Sequence, residues 1–108
     1  MTAADMAVAL DKVQAKLAGA HLLAEWFHGT DGRDLDRAMA NWPPRGVLSF
    51  TPGPVLDGSG AIRAFLEKTW AAYRELYHWV ANLSLTVPGD TMRGECRITA
   101  LCVKPSGT

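Results

Sequence analysis

The first third of the chain carries apolar residues at helical spacing. Thr2 and Asp5 stand at the positions of a capping box, in which each side chain bonds to the backbone amide of the other residue. The pattern predicts a long helix that begins near Thr2 and ends at Gly29, with residues 30–33 as a loop. Its apolar stripe consists of Leu10, Val13, Leu17, Ala20, Ala24 and Phe27, and it widens toward the C-terminal end, which should therefore be buried more deeply.

The middle of the chain is rich in aspartate, proline, glycine and serine, the residues that favour helix caps and turns. Asp34 is predicted to cap a short helix that ends before Pro43. Residues 47–50 are typical of a strand, the prolines and glycine of 52–54 of a turn, and Ser59 of the N-cap of a third helix. The apolar face of that helix comprises Ile62, Phe65, Leu66, Trp70 and Tyr73.

From residue 77 onward the hydrophobic period changes from helical to two. Residues 77–87 and 91–103 are predicted as strands, joined by a tight turn at 88–90. If Val87 pairs with Thr91, one face of this hairpin is mostly small and apolar, like a cavity wall with a single histidine. The cross-strand pairs on that face are Asn82 with Cys96, Val80 with Ile98 and His78 with Ala100.

The predicted order of elements defines an α+β fold. Helices should pack on one face of a curved antiparallel sheet, and residues 1–108 should form a single domain. Three strands close such a shell poorly, and residues 104–108 are typical of a turn before another strand. We therefore expect either that the chain is truncated after Thr108 or that a partner covers the open edge of the sheet.

Composition narrows the class of protein. The chain has 108 residues, 48% of them hydrophobic, and equal numbers of basic and acidic side chains, 11 of each. No cationic stripe suits a nucleic acid, and no apolar run approaches the ~20 residues of a membrane span. No cationic leader segment opens the sequence, so a soluble cytoplasmic domain is expected. Cys96 and Cys102 lie roughly 20 Å apart along one strand, so we expect both to be reduced and buried.

His78 and Asp31 are the candidates for chemistry. A neutral imidazole in an apolar cavity suits a general base, because the ordinary pKa of histidine lies near neutrality. Such a base needs an acceptor on its other ring nitrogen, and Asp31 follows the first helix at a place from which it could reach the sheet. The alternatives are a core histidine bonded to backbone and an aspartate that serves only its own turn.

Three other features could carry a ligand. His21, Glu25 and His28 share one helical face and could hold a metal ion, although a solvated polar face explains them equally well. We predict neither a metal nor a cofactor. The tryptophans are expected to pack rather than to stack on bases, and residues 57–60 lack the lysine of a phosphate loop.

Several of these motifs together resemble a known family. Residues 9–103 are similar to the SnoaL-like group of the nuclear transport factor 2-like superfamily, with a cystatin-like roll. The resemblance is strongest to the branch that contains hexachlorocyclohexane dehydrochlorinase and scytalone dehydratase. It rests on Glu25-Trp26, Asp31, residues 34–37, Asp57-Gly58 and residues 61–66, and on the spacing of Trp70, Tyr73, Glu75, His78, Asn82 and Leu83.

The resemblance implies a cone of helices and bent sheet around a pocket. In that branch a histidine at the position of His78 is the base, and an aspartate at the position of Asp31 holds it. The implied chemistry is proton abstraction from carbon, followed by loss of water or halide or by double-bond migration. The partners expected are a small hydrophobic molecule and a second copy of the chain. The residues expected to line the substrate pocket are Trp26, Tyr73, Asn82, Val80, Cys96 and Ile98.

The chain departs from that branch at three helper positions. Cys96 stands where scytalone dehydratase has a second histidine, and Thr30 stands where it has a tyrosine. Trp26 and Phe27 occupy the stretch where the dehydrochlorinases carry a cation. Two hypotheses follow: a cofactor-independent lyase or isomerase of the dehydratase kind, and a non-catalytic module that binds a small ligand or dimerises.

Overall fold

The computed structural model describes residues 1–106, which form three helices and four strands. The order of elements confirms the α+β class. The bounds are α1 (Ala3–Asp31), α2 (Leu35–Met39), β1 (Val47–Ser49), β2 (Val55–Asp57), α3 (Ser59–Ala72), β3 (Glu75–Thr86) and β4 (Arg93–Val103). The turn predicted at residues 104–108 lies partly outside the described residues.

Contacts divide the chain into two compact units. One consists of Met1–Ala24 and Trp79–Thr99, and the other of Glu25–His78 and Ala100–Thr108. In the first unit the capping box is confirmed at the start of α1. The amide of Thr2 donates to Asp5 Oδ2 over 3.0 Å, and the amide of Asp5 donates to Thr2 Oγ1 over 3.1 Å.

Helix α1 does not end at Gly29, as its sequence predicted, but continues to Asp31. Gly29 is buried against α2, and a Cβ on it would lie 2.6 Å from the Cα of Ala38. This glycine therefore serves close helix packing rather than a helix stop. As a consequence Asp31 belongs to the last turn of a helix, not to a loop.

The end of α1 is a Schellman motif closed by an arginine. Arg33 has φ 55°, in the left-handed region that glycine usually occupies. Its amide donates to the carbonyl of Thr30 over 3.4 Å, and the amide of Asp34 donates to the carbonyl of Gly29 over 2.9 Å. Asp34 then caps α2 as predicted, accepting from the amide of Arg37 over 3.1 Å.

Strands β1 and β2 form a short antiparallel ladder in which Leu48 pairs with Leu56. β1 and the turn at 52–54 were predicted, but β2 was missed. A strand of three residues next to prolines is too short to show a period of two. The amide of Phe50 donates to the carbonyl of Pro54 over 2.9 Å and closes the turn.

Helix α3 supplies two fully buried side chains of the second unit. Its N-cap is Gly58, with φ 97° and no side-chain capping bond, so the prediction of Ser59 as the cap is wrong. The start of α3 is held by backbone instead: the amide of Gly58 donates to the carbonyl of Gly46 over 2.8 Å. Ile62 and Leu66 are fully buried, as their place on the predicted apolar face implied.

Strands β3 and β4 pair with each other. At their far end the amide of Arg74, the residue before β3, donates to the carbonyl of Val103 over 2.7 Å. Nearer the turn, a Cβ on Gly94 would lie 3.3 Å from the carbonyl oxygen of Ser84. Asn82 has φ 56°, a left-handed backbone within β3. The pairing of His78 with Ala100 stays a prediction.

Exposure follows the predicted gradient along α1. Residues 1–14 are all exposed, whereas Trp26 and Phe27 are half-buried.

Both cysteines are free, as expected. Cys96 is half-buried but Cys102 is exposed, so the prediction that both are buried is wrong. Cys102 ends a run of exposed positions on β4, residues 97–102. Within the described residues, no helix combines the length and apolarity needed to cross a bilayer.

Candidate active site

The structure brings the carboxylate of Asp31 against His78 through both oxygens. Asp31 Oδ1 lies 2.5 Å from His78 Nδ1, and Asp31 Oδ2 accepts the backbone amide of His78 over 2.8 Å. The two side chains are 24% and 17% exposed, so water competes only partly for these bonds. One carboxylate thus fixes both the strand position and the ring orientation of the histidine.

This contact determines which ring nitrogen is available for chemistry. A carboxylate oxygen accepts hydrogen bonds, so this contact favours the tautomer that carries the ring proton on Nδ1. In the neutral ring Nε2 is then the acceptor, and the described residues give it no hydrogen-bond partner. Phe27 lies against the ring, with centroids 4.8 Å apart and planes tilted by 32°. The imidazole is therefore held by one carboxylate and one aromatic face.

Asp31 is held in place by the residue that precedes it. Thr30 is buried; its hydroxyl donates to the carbonyl of Trp26 over 2.7 Å. The carbonyl of Thr30 accepts the indole N–H of Trp70 over 2.8 Å. The last turn of α1 is therefore tied to the end of α3, from which the chain leads directly into β3 and His78.

Arg33 makes a second connection between the same two segments. Its guanidinium donates to the carbonyls of Trp70 and Arg74, each over 2.9 Å, and also to the carbonyl of Tyr73. These carbonyls lie at the C-terminal end of α3, where helices lack internal donors. The side chain therefore satisfies the helix end and fixes the loop after Asp31.

The predicted pocket residues of the second unit lie away from this contact. Trp26 packs edge-on against Trp42, with ring centroids 5.4 Å apart. Tyr73 is the extended residue after α3 and lines an open apolar groove of about 580 Å³ along that helix. The groove is also lined by Pro54, Leu56, Ala61, Ala64, Phe65, Lys68, Thr69 and Ala72.

The predicted pocket residues of the first unit are more open than a cavity wall requires. Val80 is 39% exposed and Ile98 is 50% exposed. Asn82 and half-buried Cys96 line a cavity of about 190 Å³ together with Glu95 and Arg97. The four residues predicted to share one face thus divide into two exposed apolar positions and two that border a polar cavity.

Of the three residues weighed as metal ligands, Glu25 has an arginine partner. Both carboxylate oxygens of Glu25 accept hydrogen bonds from Arg37, over 2.8 and 3.0 Å. These bonds raise the pKa of the Arg37 guanidinium. Among residues 1–106, no group of three His, Cys, Asp or Glu side chains is arranged to hold a metal ion.

Tyr77 directly precedes His78 on β3, so strand alternation puts the two side chains on opposite faces. Its hydroxyl donates to Glu75 Oε2 over 3.1 Å, and this bond raises the pKa of the tyrosine. Leu76, two residues before His78, is buried on the same face as the imidazole. The histidine is therefore on the inner face of its strand.

Sequence reasoning missed three residues that build the site. Arg33 was assigned to a loop, Thr30 was considered only as a missing tyrosine, and Trp70 was expected to pack. Their contacts run to backbone carbonyls, which leave no mark in a sequence. Residue type alone would have assigned the left-handed position to Gly32, whereas the structure places it at Arg33.

Comparison with solved structures shows a shared fold. Hexachlorocyclohexane dehydrochlorinase LinA-type3 from Novosphingobium barchaimii LL02 superposes with a TM-score of 0.81 at 19% identity, over 90% of this chain and 68% of that one. A structure from Novosphingobium aromaticivorans, provisionally named a scytalone dehydratase, gives 0.77 at 15%, over 86% and 63%. A cystatin-like protein of unknown function from Nostoc punctiforme gives 0.70 at 19%, over 81% and 65%.

The fold is therefore that of the nuclear transport factor 2-like and cystatin-like proteins, and the chain spans about two thirds of the length of these structures. The model of the SnoaL-like domain family matches residues 11–108. The protein belongs to the SnoaL-like domain family, which confirms the resemblance seen in its sequence. A comparison with curated proteins gives no match.

Proposed function

We propose that this protein is a cofactor-independent lyase or isomerase in which His78 removes a proton from carbon. The observation that carries the proposal is the two-point contact between Asp31 and His78. A catalytic imidazole must present one defined nitrogen to its substrate, and this contact leaves Nε2 for that task. Structural neighbours of the dehydratase and dehydrochlorinase kind support the reaction class.

In the proposed reaction Nε2 of His78 takes a proton from a carbon next to an activating group or next to the carbon that bears the leaving group. The C–H electron pair forms a new double bond. In a lyase the leaving group departs with the electron pair of its bond to carbon; in an isomerase an existing double bond gives up its pair, and its far carbon takes the proton back from the His78 imidazolium. The negative charge of Asp31 compensates the imidazolium formed in this step. We further propose that the substrate is a small hydrophobic molecule with a ring, by analogy with the cyclic substrate named for the dehydrochlorinase.

A second candidate function is a non-catalytic module that binds an apolar ligand or a second copy of the chain. The exposure of Val80 and Ile98 favours it, because a base works best where water is excluded. The helper positions also favour it, since Cys96 and Thr30 replace the groups that assist the leaving group in the related branch. Dimerisation remains an expectation under either function.

The two candidates differ in whether carbon-bound hydrogen exchanges. We would incubate the protein in D₂O with a panel of cyclic ketones and with hexachlorocyclohexane, following deuterium uptake by NMR and chloride release. The wild-type protein should catalyse at least one of these reactions. His78→Ala should lower the rate about 100-fold or more, because a positioned base typically contributes that much.

The matched control is His28→Ala, which removes an exposed imidazole from the same helix that carries Asp31. This variant should keep the wild-type rate, and circular dichroism should show both variants folded. Full turnover in His78→Ala would reject the proposed base. A wild-type protein that binds members of the panel without exchange or halide release would establish the second candidate instead.

A further inference from the structure

Arg33 has a backbone conformation that needs an explanation. Its φ of 55° lies in the left-handed region, which is unfavourable for a residue with a Cβ and which glycine usually occupies at the end of a helix. A non-glycine residue remains in this region when its surroundings hold it there. The conformation therefore indicates that the arginine side chain is required at this point.

The side chain is used for a bond set that only arginine can make. Its planar guanidinium reaches the carbonyls of Trp70, Tyr73 and Arg74 at once, and these accept from Nη1 and Nη2. Several donors in a fixed fork are a property of arginine, whereas a lysine ammonium is a single point charge on a flexible stem. The contact is therefore specific in geometry and not only in charge.

The segment that Arg33 binds, residues 70–74, is also hydrogen-bonded to Thr30, on the other side of Asp31 in the sequence. Trp70 donates its indole N–H to the carbonyl of Thr30, the residue directly before Asp31. Asp31 thus lies between two anchors that both end on residues 70–74. His78 follows Arg74 by four residues on β3, so the anchors set the distance between the carboxylate and the histidine.

We propose that Arg33 is a positioning residue for the pair formed by Asp31 and His78. It acts by holding the last turn of α1 against the junction of α3 and β3, so that one carboxylate oxygen meets the ring while the other meets the amide. The consequence for catalysis rests on the proposed function, whereas the geometric role does not. Without the hydrogen bonds of the Arg33 guanidinium, Asp31 remains in α1, but its carboxylate is no longer held in a fixed position against His78.

The test replaces Arg33 in two ways and follows the His78 ring directly. Arg33→Lys keeps the positive charge and loses the planar guanidinium. Arg33→Gly removes the side chain and tolerates the left-handed backbone without strain, so the glycine variant should fold. Long-range ¹H–¹⁵N correlation spectra report which ring nitrogen of His78 carries the proton. Both variants should lose the single Nδ1–H form, and proton exchange should fall about 100-fold with KM little changed, as expected for a misplaced base.

Arg37→Gln is the matched control, because Arg37 is also an exposed arginine of this region but binds Glu25 instead of the end of α3. It should leave the ring signal and the rate as in the wild type. The proposal is overturned if Arg33→Lys and Arg33→Gly keep the wild-type ring signal, or if both unfold, which would make the role one of stability alone.

The same experiment separates this inference from the proposed function. Loss of the ring signal in both Arg33 variants of a protein that has no exchange activity would support the positioning and refute the enzyme. An active wild type whose Arg33→Lys variant retains the ring signal and the rate would refute the positioning and support the enzyme.

Discussion

At the scale of single residues, the site depends on the two oxygens of Asp31 having different partners. Oδ1 holds the ring and Oδ2 holds the amide of His78. An aspartate that only satisfied its own turn would bond to nearby backbone, which was the alternative interpretation of its sequence context. The contact reaches instead across 47 positions of the chain. Its geometry is what a holder of a base requires.

The isosteric variant Asp31→Asn tests the two contacts together. An asparagine has one acceptor oxygen and one NH2 donor in place of the two carboxylate oxygens, so it can accept at only one of the two positions and carries no negative charge. We expect the rate of proton exchange to fall by about 10²-fold or more, with the fold retained. Steady-state kinetics and circular dichroism of the purified variant would measure both.

Asp36→Asn provides the comparison, since Asp36 is an exposed carboxylate in the first turn of α2. Its rate should equal that of the wild type. An Asp31→Asn variant as active as Asp36→Asn would show that the carboxylate plays no part in the chemistry.

At the scale of elements, the contact between α1 and α2 depends on the absence of one side chain. Gly29 lies so close to α2 that a Cβ would lie 2.8 Å from the Cβ of Ala38 and closer still to its backbone. Backbone atoms cannot move aside as a flexible side chain can. The pair Gly29 and Ala38 therefore sets the spacing of the helices next to Asp31.

Gly29→Ala should destabilise the protein by about 3 kcal/mol, the upper part of the range for overpacking, although alanine favours helix. Chemical denaturation followed by circular dichroism would measure the free energy of unfolding. Gly60→Ala is the control, because nothing lies within 4 Å of a Cβ there, and its position in α3 should gain up to about 1 kcal/mol from helix propensity. Equal stabilities of the two variants would contradict the close packing of α1 and α2.

The elements also show what a single sequence can and cannot predict. The caps at Thr2 and Asp34 were predicted, because capping depends on residue type and spacing. The end of α1 was misplaced at Gly29, because a glycine needed for packing is indistinguishable in sequence from one needed for a turn. The left-handed backbone of Asn82 was missed, because the period of two continues through it without a glycine or proline as a marker.

At the scale of the whole molecule, family membership and site are supported by independent observations. The SnoaL-like family follows from the match over residues 11–108, and the fold from neighbours that share no more than about a fifth of their residues with this chain. His78 and Asp31 could be proposed from sequence, because an imidazole and a carboxylate suit a base and its holder and because the family resemblance pairs these two positions. Arg33, Thr30 and Trp70 could not, because they bind carbonyls that every residue possesses.

The central claim is that Asp31 keeps the proton of the neutral His78 ring on Nδ1 and leaves Nε2 unprotonated. Long-range ¹H–¹⁵N correlation of the uniformly labelled protein, at a pH where the ring is neutral, tests it without any substrate. The His78 signals are assigned by their loss in His78→Ala. We predict a single Nδ1–H form in the wild type and its loss in Asp31→Asn. A wild-type His78 that carries its proton on Nε2 would contradict the account.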